Sequence, residues 1–384
     1  MINPNEYGSL LFDKKEKEYL NNVINARRIF RYSKTEYPYA TMCENKICEL
    51  VGTNYCLTTT NGTSSLKCAL VGANVSQNDR ILISSYTFLA TALAPIALGA
   101  IPVPIDVDLD TGINIEDLEK EIKKGCKAVI VVHFQGRTFD LTKVKHICQK
   151  NKIVLIEDAC QAFGSKYKDI YAGTFGDIGV YSFQQFKQIT CGEGGCVVTN
   201  NESMYNRMRN YTDMGSIRNR FPSWDGEEAL FGENYRMNNL CAAVLYAQLE
   251  KLDDIITKQK ESRNRIMEKL KGINNILTSK DSNGDTGMNI VILLNDKKYK
   301  ELAIEFGKEN DIELRNMWTS LYYDNELFRN SKLTAKEIKN QECTYTRELI
   351  EKMLVISIPP ILRKKDEMKI IKFIKDLKRK GYLS

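Results

Sequence analysis

The sequence has few of the residues and patterns that define a function class by themselves. It contains only two histidines, His133 and His146, so acid–base chemistry is expected to rest on another kind of side chain. The eleven cysteines form no CxxC pair and no spacing typical of metal ligands, and we therefore predict no metal site. No apolar run approaches the roughly 18 residues that a membrane span requires, so no membrane partner is expected.

Charge and cysteine content narrow the class further. The formal net charge of +6 is spread over segments of mixed sign, which is too dilute for a nucleic-acid-binding surface, so we expect no nucleic-acid partner. The odd number of cysteines and the absence of a cleavable signal peptide predict reduced thiols and a cytoplasmic protein. Five cysteines in apolar stretches are interpreted as small core residues: Cys126, Cys148, Cys160, Cys196 and Cys241.

Length and periodicity predict two domains. At 384 residues the chain exceeds what one hydrophobic core usually serves. We expect a large domain over residues 1–250, which begins with a helix over 12–28, and a small α/β domain over residues 251–384. An apolar stripe from Asn239 to about Leu270 predicts one long helix that links the two.

Strands and helices alternate through the first half of the chain. The predicted strands are Tyr55–Thr59, Arg80–Ile83, Pro102–Asp106, Ala128–Val132 and Ile153–Asp158. Repeated strand–helix units of this length predict an α/β fold with a mostly parallel central sheet flanked by helices. Such sheets bind ligands at the carboxyl ends of their strands, which places Asn61–Ser64, His133–Gly136 and Asp158 along one rim.

The turn Asn61-Gly62-Thr63-Ser64 joins the first strand to a helix. It would present backbone N–H groups and two hydroxyls at a helix N-terminus, an arrangement that suits a phosphate. The turn is neither a GxGxxG motif nor a P-loop, so binding of a dinucleotide or a nucleoside triphosphate is not indicated. The alternative is that these hydroxyls only cap the helix, since Ser and Thr are common there.

Four other side chains occupy positions that are compatible with chemistry. Lys187 lies in the loop Tyr181–Gly195 between two β-rich segments, where it is either a surface lysine or a functional amine. Asp158 ends a very apolar strand and is either half-exposed or paired with a cation, and Gln161 could share its face. Phe88 follows another strand end, where it is either a core side chain or a surface for stacking.

Together these features describe one ligand, pyridoxal phosphate. Lys187 would form the Schiff base, and Asp158 would hold the pyridinium nitrogen protonated so that the ring acts as an electron sink. The helix N-terminus would take the phosphate, and Phe88 would stack on the ring. The 29 positions that separate Asp158 from Lys187 allow one β-unit between them, so both side chains can reach one cofactor.

Six ordered motifs carry a resemblance to a known family. They are Asn61–Leu66, Tyr86–Ala92, Gly99–Val103, Ile156–Ala162, the lysine loop and Asn234–Met237. With these motifs the chain resembles the sugar and cyclitol aminotransferases of the DegT/DnrJ/StrS family, which have the aspartate-aminotransferase-like type I fold of pyridoxal-phosphate enzymes. The resemblance covers nearly the whole chain.

The resemblance implies a role for each matching residue. Lys187 would form the Schiff base and, once released, move the proton between the substrate carbon and the cofactor, while Asp158 would pair with the pyridinium nitrogen. Gln161 would contact the ring hydroxyl, and Phe88 would stack on the ring. The residues that would bind the phosphate are Gly62, Thr63, Ser64, Ser182 and, from the neighbouring subunit, Asn234. The implied working unit is therefore a homodimer with shared active sites.

The implied reaction moves an amino group from glutamate or glutamine to a keto group of a sugar or cyclitol. Some relatives carry histidine in place of the lysine and are sugar dehydratases, so Lys187 favours transamination. A dehydratase and a pyridoxal-binding regulator without turnover are the alternatives. Histidine after Ser-Phe is frequent among nucleotide-sugar enzymes, whereas Ser182-Phe183-Gln184-Gln185 resembles members that act on ketocyclitols such as scyllo-inosose.

Other positions bear on the acceptor. Cys160 stands where alanine is common in the family, and the loop with Arg218 and Arg220 is one that the family varies freely. Acceptor specificity is expected in such loops. Three residues are candidates for the pocket wall or, alternatively, ordinary surface and packing residues: Arg315, Trp318 and Tyr322.

Overall fold

The computed structural model describes residues 7–110, 112–216, 230–279, 281, 283–316, 320–339 and 341–384. Nine strands precede residue 200. In chain order they are β1 (Tyr55–Thr59), β2 (Arg80–Ser84), β3 (Ile101–Ile105), β4 (Ala128–Val132), β5 (Val154–Asp158), β6 (Lys166–Tyr167), β7 (Ile170–Tyr171), β8 (Ile178–Ser182) and β9 (Gly195–Thr199).

Seven of these strands form the central sheet, in the order β1-β9-β8-β5-β4-β2-β3. The pairs from β8 to β3 are all parallel, because helices cross over between them. Strand β9 runs antiparallel to both β1 and β8, since only a loop of twelve residues connects it to β8. The prediction of an α/β fold with a mostly parallel sheet is confirmed, and β6 and β7 add a small separate hairpin.

Helices alternate with these strands and continue beyond them. They are α1 (Lys14–Ala26), α2 (Tyr39–Val51), α3 (Gly62–Gly72), α4 (Leu89–Ala97), α5 (Ile115–Ile122), α6 (Thr142–Lys150), α7 (Glu202–Thr212), α8 (Asn239–Leu249) and α9 (Leu252–Lys269). Sequence signals explain several boundaries. Asp13 and Glu16 form a reciprocal capping box at the start of α1, and α2 ends at Gly52, which adopts φ of 74°.

The prediction of one long helix from Asn239 to about Leu270 is wrong, because the chain breaks between α8 and α9 at Glu250 and Lys251. The Lys251 ammonium lies 2.7 Å from the buried Glu16 carboxylate and donates to the Leu11 carbonyl at 2.9 Å. These contacts tie the break to α1. Periodicity could not reveal it, because the apolar stripe continues on both sides.

The remainder of the chain forms a second, three-stranded antiparallel sheet. Its strands, in the order β10-β11-β12, are β10 (Ile276–Leu277), β11 (Asn289–Leu293) and β12 (Met353–Ser357). The helices here are α10 (Lys300–Glu309), α11 (Glu326–Asn330), α12 (Ala335–Ile338), α13 (Thr344–Lys352) and α14 (Lys364–Arg379). The division of the chain after residue 250 stays a prediction.

Both faces of the central sheet are covered. All five residues of β4 are buried, as its continuous apolar sequence predicts. Val129 and Val131 belong to one core cluster, and Ala128 and Ile130 belong to another on the opposite face. Because both faces are filled, the strand ends are the part of the sheet that can receive a ligand.

Candidate active site

A cavity of about 1030 Å³ opens at the carboxyl ends of β1, β5 and β8. One side is closed by Met288, Asn289 and Arg315 from the second part of the chain. Eight of the nine residues predicted to bind a cofactor line this cavity: Gly62, Thr63, Ser64, Phe88, Asp158, Gln161, Ser182 and Lys187. The fold therefore brings together side chains that are separated by as many as 125 positions in the sequence.

The N-terminus of α3 forms one wall. Asn61 caps the helix, since its side-chain oxygen accepts from the Ser64 N–H at 2.8 Å and its own N–H donates to the Ser64 hydroxyl at 3.1 Å. The Ser64 hydroxyl therefore takes part in capping the helix, which is the alternative to phosphate binding that the sequence left open. The N–H groups of Gly62 and Thr63 precede the first intrahelical bond and donate to nothing in the described part of the chain. They are available to an anion.

Gly62 lies at a close approach between the start of α3 and Ser182 at the end of β8. A Cβ at Gly62 would lie 2.9 Å from the Ser182 Cβ and 3.2 Å from the Cys160 Sγ. Only glycine leaves this space open, so the α3 turn and the end of β8 can share one small ligand group. Ser182 itself is 6% exposed and lines the cavity.

Asp158 is a buried carboxylate without a cation. It is 5% exposed and accepts hydrogen bonds from the Thr91 hydroxyl at 2.7 Å and the Cys160 N–H at 3.1 Å. No ion pair involves Asp158 among the residues that the structure describes. A buried charge of this kind is costly unless it is paired, so Asp158 is suited to a cationic ligand atom.

Two lysines line the cavity, and they differ in their partners. The Lys67 ammonium donates to the Tyr235 hydroxyl at 2.6 Å and lies 3.4 Å from Glu233. The half-buried Lys187 side chain has neither a hydrogen bond nor an ion pair within the described ranges. Lys187 is held by the loop between β8 and β9, which is closed by the Phe183 N–H to Gly194 carbonyl bond of 2.8 Å. Lys187 is thus the amine that is available for chemistry.

Phe88 and Gln161 complete the predicted set. Phe88 is 59% exposed on the cavity wall at the start of α4, so it is not a core side chain. The Gln161 side-chain oxygen accepts from the Gln135 N–H at 3.1 Å. Gln135 adopts φ of 58° and lines the cavity beside Gln161. The predicted rim segment 133–136 therefore contributes Gln135.

Arg315, a candidate for the pocket wall from the sequence, does line the cavity, in a network with Tyr7 and Asn289 that the sequence did not predict. The Arg315 guanidinium donates to the Asn289 side-chain oxygen at 2.6 Å, and the Tyr7 hydroxyl donates to the same oxygen at 3.0 Å. The Asn289 amide donates to the Gln135 carbonyl at 3.2 Å, which links Arg315 to the Gln161 side of the cavity. The buried Arg315 Nε has no partner in the described part of the chain. The guanidinium is therefore suited to an anionic ligand group.

Two candidate residues, His133 and Tyr322, are absent from the described lining of the cavity. His133 lies below the rim with no exposed surface, and its Nε2 is 2.8 Å from Glu157. Tyr322 belongs to the hydrophobic core and does not line the cavity, because it packs against Tyr323 and Phe328. The structure describes neither Trp318 nor the segment with Arg218 and Arg220.

Asn234 is exposed and is absent from the described lining of the cavity in its own chain, although the adjacent Tyr235 belongs to it. Its segment pairs with Asp213 in an isolated β-bridge. The role of Asn234 at a neighbouring subunit stays a prediction.

Of the five cysteines interpreted as core residues, Cys148 and Cys196 are buried, whereas Cys126, Cys160 and Cys241 are only partly buried. Cys160 packs against the core and also lines the cavity. Burial, together with the nearby Asp158 charge, raises the pKa of the Cys160 thiol well above its usual range. All eleven cysteines are free thiols.

Two classes of feature are absent from the described parts of the chain. No group of three or more His, Cys, Asp and Glu side chains is arranged to hold a metal ion there. Among the same residues, no helix combines the length and the apolar character that a bilayer crossing demands.

Comparison with known proteins gives a consistent result. Residues 12–375 match the model of the DegT/DnrJ/EryC1/StrS aminotransferase family. A GDP-perosamine synthase of Escherichia coli O157:H7 is 37% identical over 248 residues, which are 64% of this chain and 66% of that protein. An L-glutamine:2-deoxy-scyllo-inosose aminotransferase of Streptomyces kanamyceticus is 34% identical over 206 residues, which are 52% of this chain and 48% of that protein.

The fold also has solved counterparts. The Helicobacter pylori aminotransferase PseC, involved in the biosynthesis of pseudoaminic acid, superposes with a TM-score of 0.84. The alignment covers 97% of this chain and 98% of that one at 22% sequence identity. At this identity the likeness supports the fold, which is the type I fold of pyridoxal-phosphate aminotransferases.

Proposed function

Since the chain belongs to the DegT/DnrJ/EryC1/StrS aminotransferase family, we propose that it moves an amino group from glutamate or glutamine to a keto group of a sugar or cyclitol. One observation carries this proposal. The unpaired amine of Lys187 and the unpaired carboxylate of Asp158 line the same cavity as the free N–H groups of Gly62 and Thr63. An amine, a carboxylate and an anion-binding turn are what pyridoxal phosphate requires of a protein.

The residues present fit this cofactor. Gly62, Thr63 and Ser182 would hold the phosphate, since the missing Cβ of Gly62 leaves the needed space beside Ser182. Asp158 would neutralise the ring nitrogen, and the exposed face of Phe88 would cover the ring. When bound, pyridoxal phosphate supplies an electron sink for the bond changes at the substrate carbon.

The protein's own groups would then perform positioning and proton transfer. Lys187 Nζ would take the proton from the carbon that bears the amino group of the donor, because this amine lines the cavity and has no hydrogen-bond or ion-pair partner in the described chain. Gln161 would fix the ring hydroxyl while Gln135 holds the amide of Gln161 in place.

The donor's carboxylate has a matching group in Arg315. Its Nη2 is fixed by Asn289 and Tyr7, whereas its Nε is buried and unpartnered in the described part of the chain. Guanidinium groups recognise carboxylates with charge-assisted hydrogen bonds. We therefore assign the α-carboxylate of the donor amino acid to the Arg315 side of the cavity.

For the acceptor, a nucleotide-linked ketosugar is proposed. The support is the longer matched segment of the GDP-perosamine synthase, 248 residues against 206 for the scyllo-inosose enzyme. A ketocyclitol is the second candidate, favoured by Gln184, which follows Ser182-Phe183 and lines the cavity.

The proposed assembly is a homodimer in the cytoplasm. Asn234 is exposed beside the cavity-lining Tyr235, which is compatible with a role at a neighbouring subunit. The eleven free thiols are compatible with a reducing compartment.

The decisive experiment is the visible spectrum of the purified protein with pyridoxal phosphate, recorded before and after addition of glutamate or glutamine. A yellow band should form and then fall as the amino group is transferred. Lys187→Ala should not form the band, whereas Lys67→Ala, which removes the other lysine of the cavity, should retain it. A wild-type band that ignores every amino donor would favour the regulator, and absence of any band would exclude the proposed cofactor.

To identify the acceptor, candidate ketosugars are added to the enzyme after it has taken the amino group from the donor. Recovery of the yellow band on addition of a GDP-linked ketosugar, with formation of the aminosugar, is the expected result. Recovery with scyllo-inosose alone would assign the ketocyclitol. Release of a deoxygenated sugar without a new amine would support the dehydratase alternative.

A further inference from the structure

We propose that Thr91, held by Thr87, is a positioning residue that fixes the Asp158 carboxylate and its negative charge toward the ring nitrogen of the cofactor. This inference rests on the proposed function, since it assigns a task to a residue within that same site. It goes further because Thr91 is not one of the predicted cofactor-binding residues. Its place depends on the packing of α4 against α3, β2 and β3.

The geometry is a chain of three buried groups. The Thr87 hydroxyl donates to the Thr91 hydroxyl at 2.7 Å, and the Thr91 hydroxyl donates to Asp158 Oδ2 at 2.7 Å. Thr87, Thr91 and Asp158 are 6%, 1% and 5% exposed. These three hydrogen-bonded groups are thus shielded from water. Hydrogen bonds are electrostatically stronger in such a buried environment than in water.

The Asp158 carboxylate determines which group donates in each of these two hydrogen bonds. An ionised carboxylate can only accept, so the single hydroxyl hydrogen of Thr91 must point at Asp158. Thr91 is then left to accept from Thr87. The result is a charge-assisted hydrogen bond, which is shorter and stronger than a neutral one and stabilises the negative charge on Asp158.

The remaining contacts of Asp158 fix its other atoms. Oδ1 accepts from the Cys160 N–H at 3.1 Å, and the backbone carbonyl accepts from the His133 N–H at 3.0 Å. With both oxygens bonded, the carboxylate cannot rotate freely. The Thr91 hydroxyl is therefore a contact of Asp158 Oδ2 that a substitution can remove.

The same helix turn also carries the candidate ring-stacking residue. Phe88 is the N-cap of α4, and its carbonyl accepts from the Thr91 N–H at 3.1 Å. The start of α4 therefore presents an aromatic face to the cavity and a hydroxyl to Asp158. Displacement of this turn would disturb both contacts, so a test must separate the hydroxyl from the shape of the turn.

The test compares two cofactors on the apoenzyme. Dissociation constants for pyridoxal phosphate and for its 1-deaza analogue, which lacks the ring nitrogen, are measured by protein fluorescence for wild type, Thr91→Val and Thr91→Ser. Valine keeps the shape of threonine and removes the hydroxyl. We expect Thr91→Val to raise the dissociation constant for pyridoxal phosphate on the order of tenfold and to change that for the deaza analogue little. Thr91→Ser should bind both cofactors like wild type.

Thr87→Val should give a smaller loss with the same preference for the natural cofactor, because Thr91 can still donate to Asp158. If Thr91→Val weakens the binding of both cofactors equally, so that the ratio of the two dissociation constants is unchanged, the Thr91 hydroxyl has only a structural role. That result would overturn the inference. If wild type binds neither cofactor, the proposed function itself fails, which is a separate outcome.

Discussion

At Gly62, the absence of a side chain controls how closely the start of α3 and the end of β8, the two segments proposed to bind the phosphate, approach each other. Gly62→Ala would place a methyl group 2.9 Å from the Ser182 Cβ, so α3 and β8 must move apart. We expect affinity for pyridoxal phosphate to fall about tenfold, because hydrogen bonds to a charged phosphate are lost. Overpacking should also destabilise the fold by about 1–3 kcal/mol.

The control for this prediction is Gly72→Ala at the other end of α3. A Cβ there would meet the Met208 side chain at 2.8 Å, which is far from the cavity and flexible. Cofactor titration and thermal unfolding of both variants separate binding from stability. Equal affinity in Gly62→Ala and wild type would contradict the assigned phosphate site.

Cys160 is predicted to be unreactive although it lines the cavity. The thiolate is the reactive form, and burial raises the pKa of this thiol well above its usual range, so the thiol stays protonated at neutral pH. Alkylation by iodoacetamide should be at least about tenfold slower than for a free thiol at pH 7. Its rate should still be rising above pH 9.

Mass spectrometry of the Cys160 peptide measures this rate, and Cys160→Ala identifies the peptide. Rapid labelling at pH 7 would show that the thiol is more exposed, or more acidic, than its surroundings indicate.

Among the structural elements, the segment around Arg315 connects the second sheet to the cavity. Its backbone forms a bridge with β12, in which the Arg315 N–H donates to the Val355 carbonyl at 2.8 Å and the reverse bond is 3.1 Å. This bridge adds the segment to the edge of a sheet. The guanidinium is therefore presented by a fixed backbone, which suits selection between donors.

Arg315→Gln is predicted to raise the KM for glutamate by about tenfold or more, because a charge-assisted hydrogen bond to the carboxylate of the donor is lost. Isoglutamine, whose α-carboxylate is replaced by an amide, should be a poor donor for wild type and should lose little more with the variant. Single-turnover spectra with both donors test the prediction. Arg363→Gln, which alters an exposed arginine paired with Asp366, is the control. An equal loss for both donors would refute the assignment.

For the whole molecule, the proposed homodimer with shared active sites makes a prediction about mixed dimers. Lys187→Ala removes the amine from its own site, whereas Asn234→Ala would impair the site of the partner subunit. A dimer of one chain of each kind then contains one intact site and one site with both defects. Random mixing should restore about a quarter of the wild-type activity.

The measurement is transamination after the two inactive variants are unfolded together and refolded, beside each variant refolded alone. Activity no higher than the sum of the separate variants would show that Asn234 acts within its own chain or not at all.

The sequence by itself determined the parts of this protein that depend on short-range pattern. The apolar run of β4, the alternation of strands with helices and the turn after β1 all specify local structure, because burial on both faces requires continuous apolar strands. The residues at strand ends, such as Asp158 and Ser182, follow from that topology. The motif order then indicated the family.

Only the tertiary structure decided which side chains meet across the cavity. Tyr7 and Asn289 are 282 positions apart, so no local pattern marks their contact. Arg315 is a candidate from the sequence, but only the fold shows which residues hold its guanidinium. Lys67 and Lys187 are alike as residues, and they differ because Tyr235 and Glu233 fold against one of them. Tertiary contacts also account for the break between α8 and α9 and for the hydrogen bond from the Thr91 hydroxyl to Asp158. Each depends on a partner that is remote in sequence, and local propensity contains no information about such a partner.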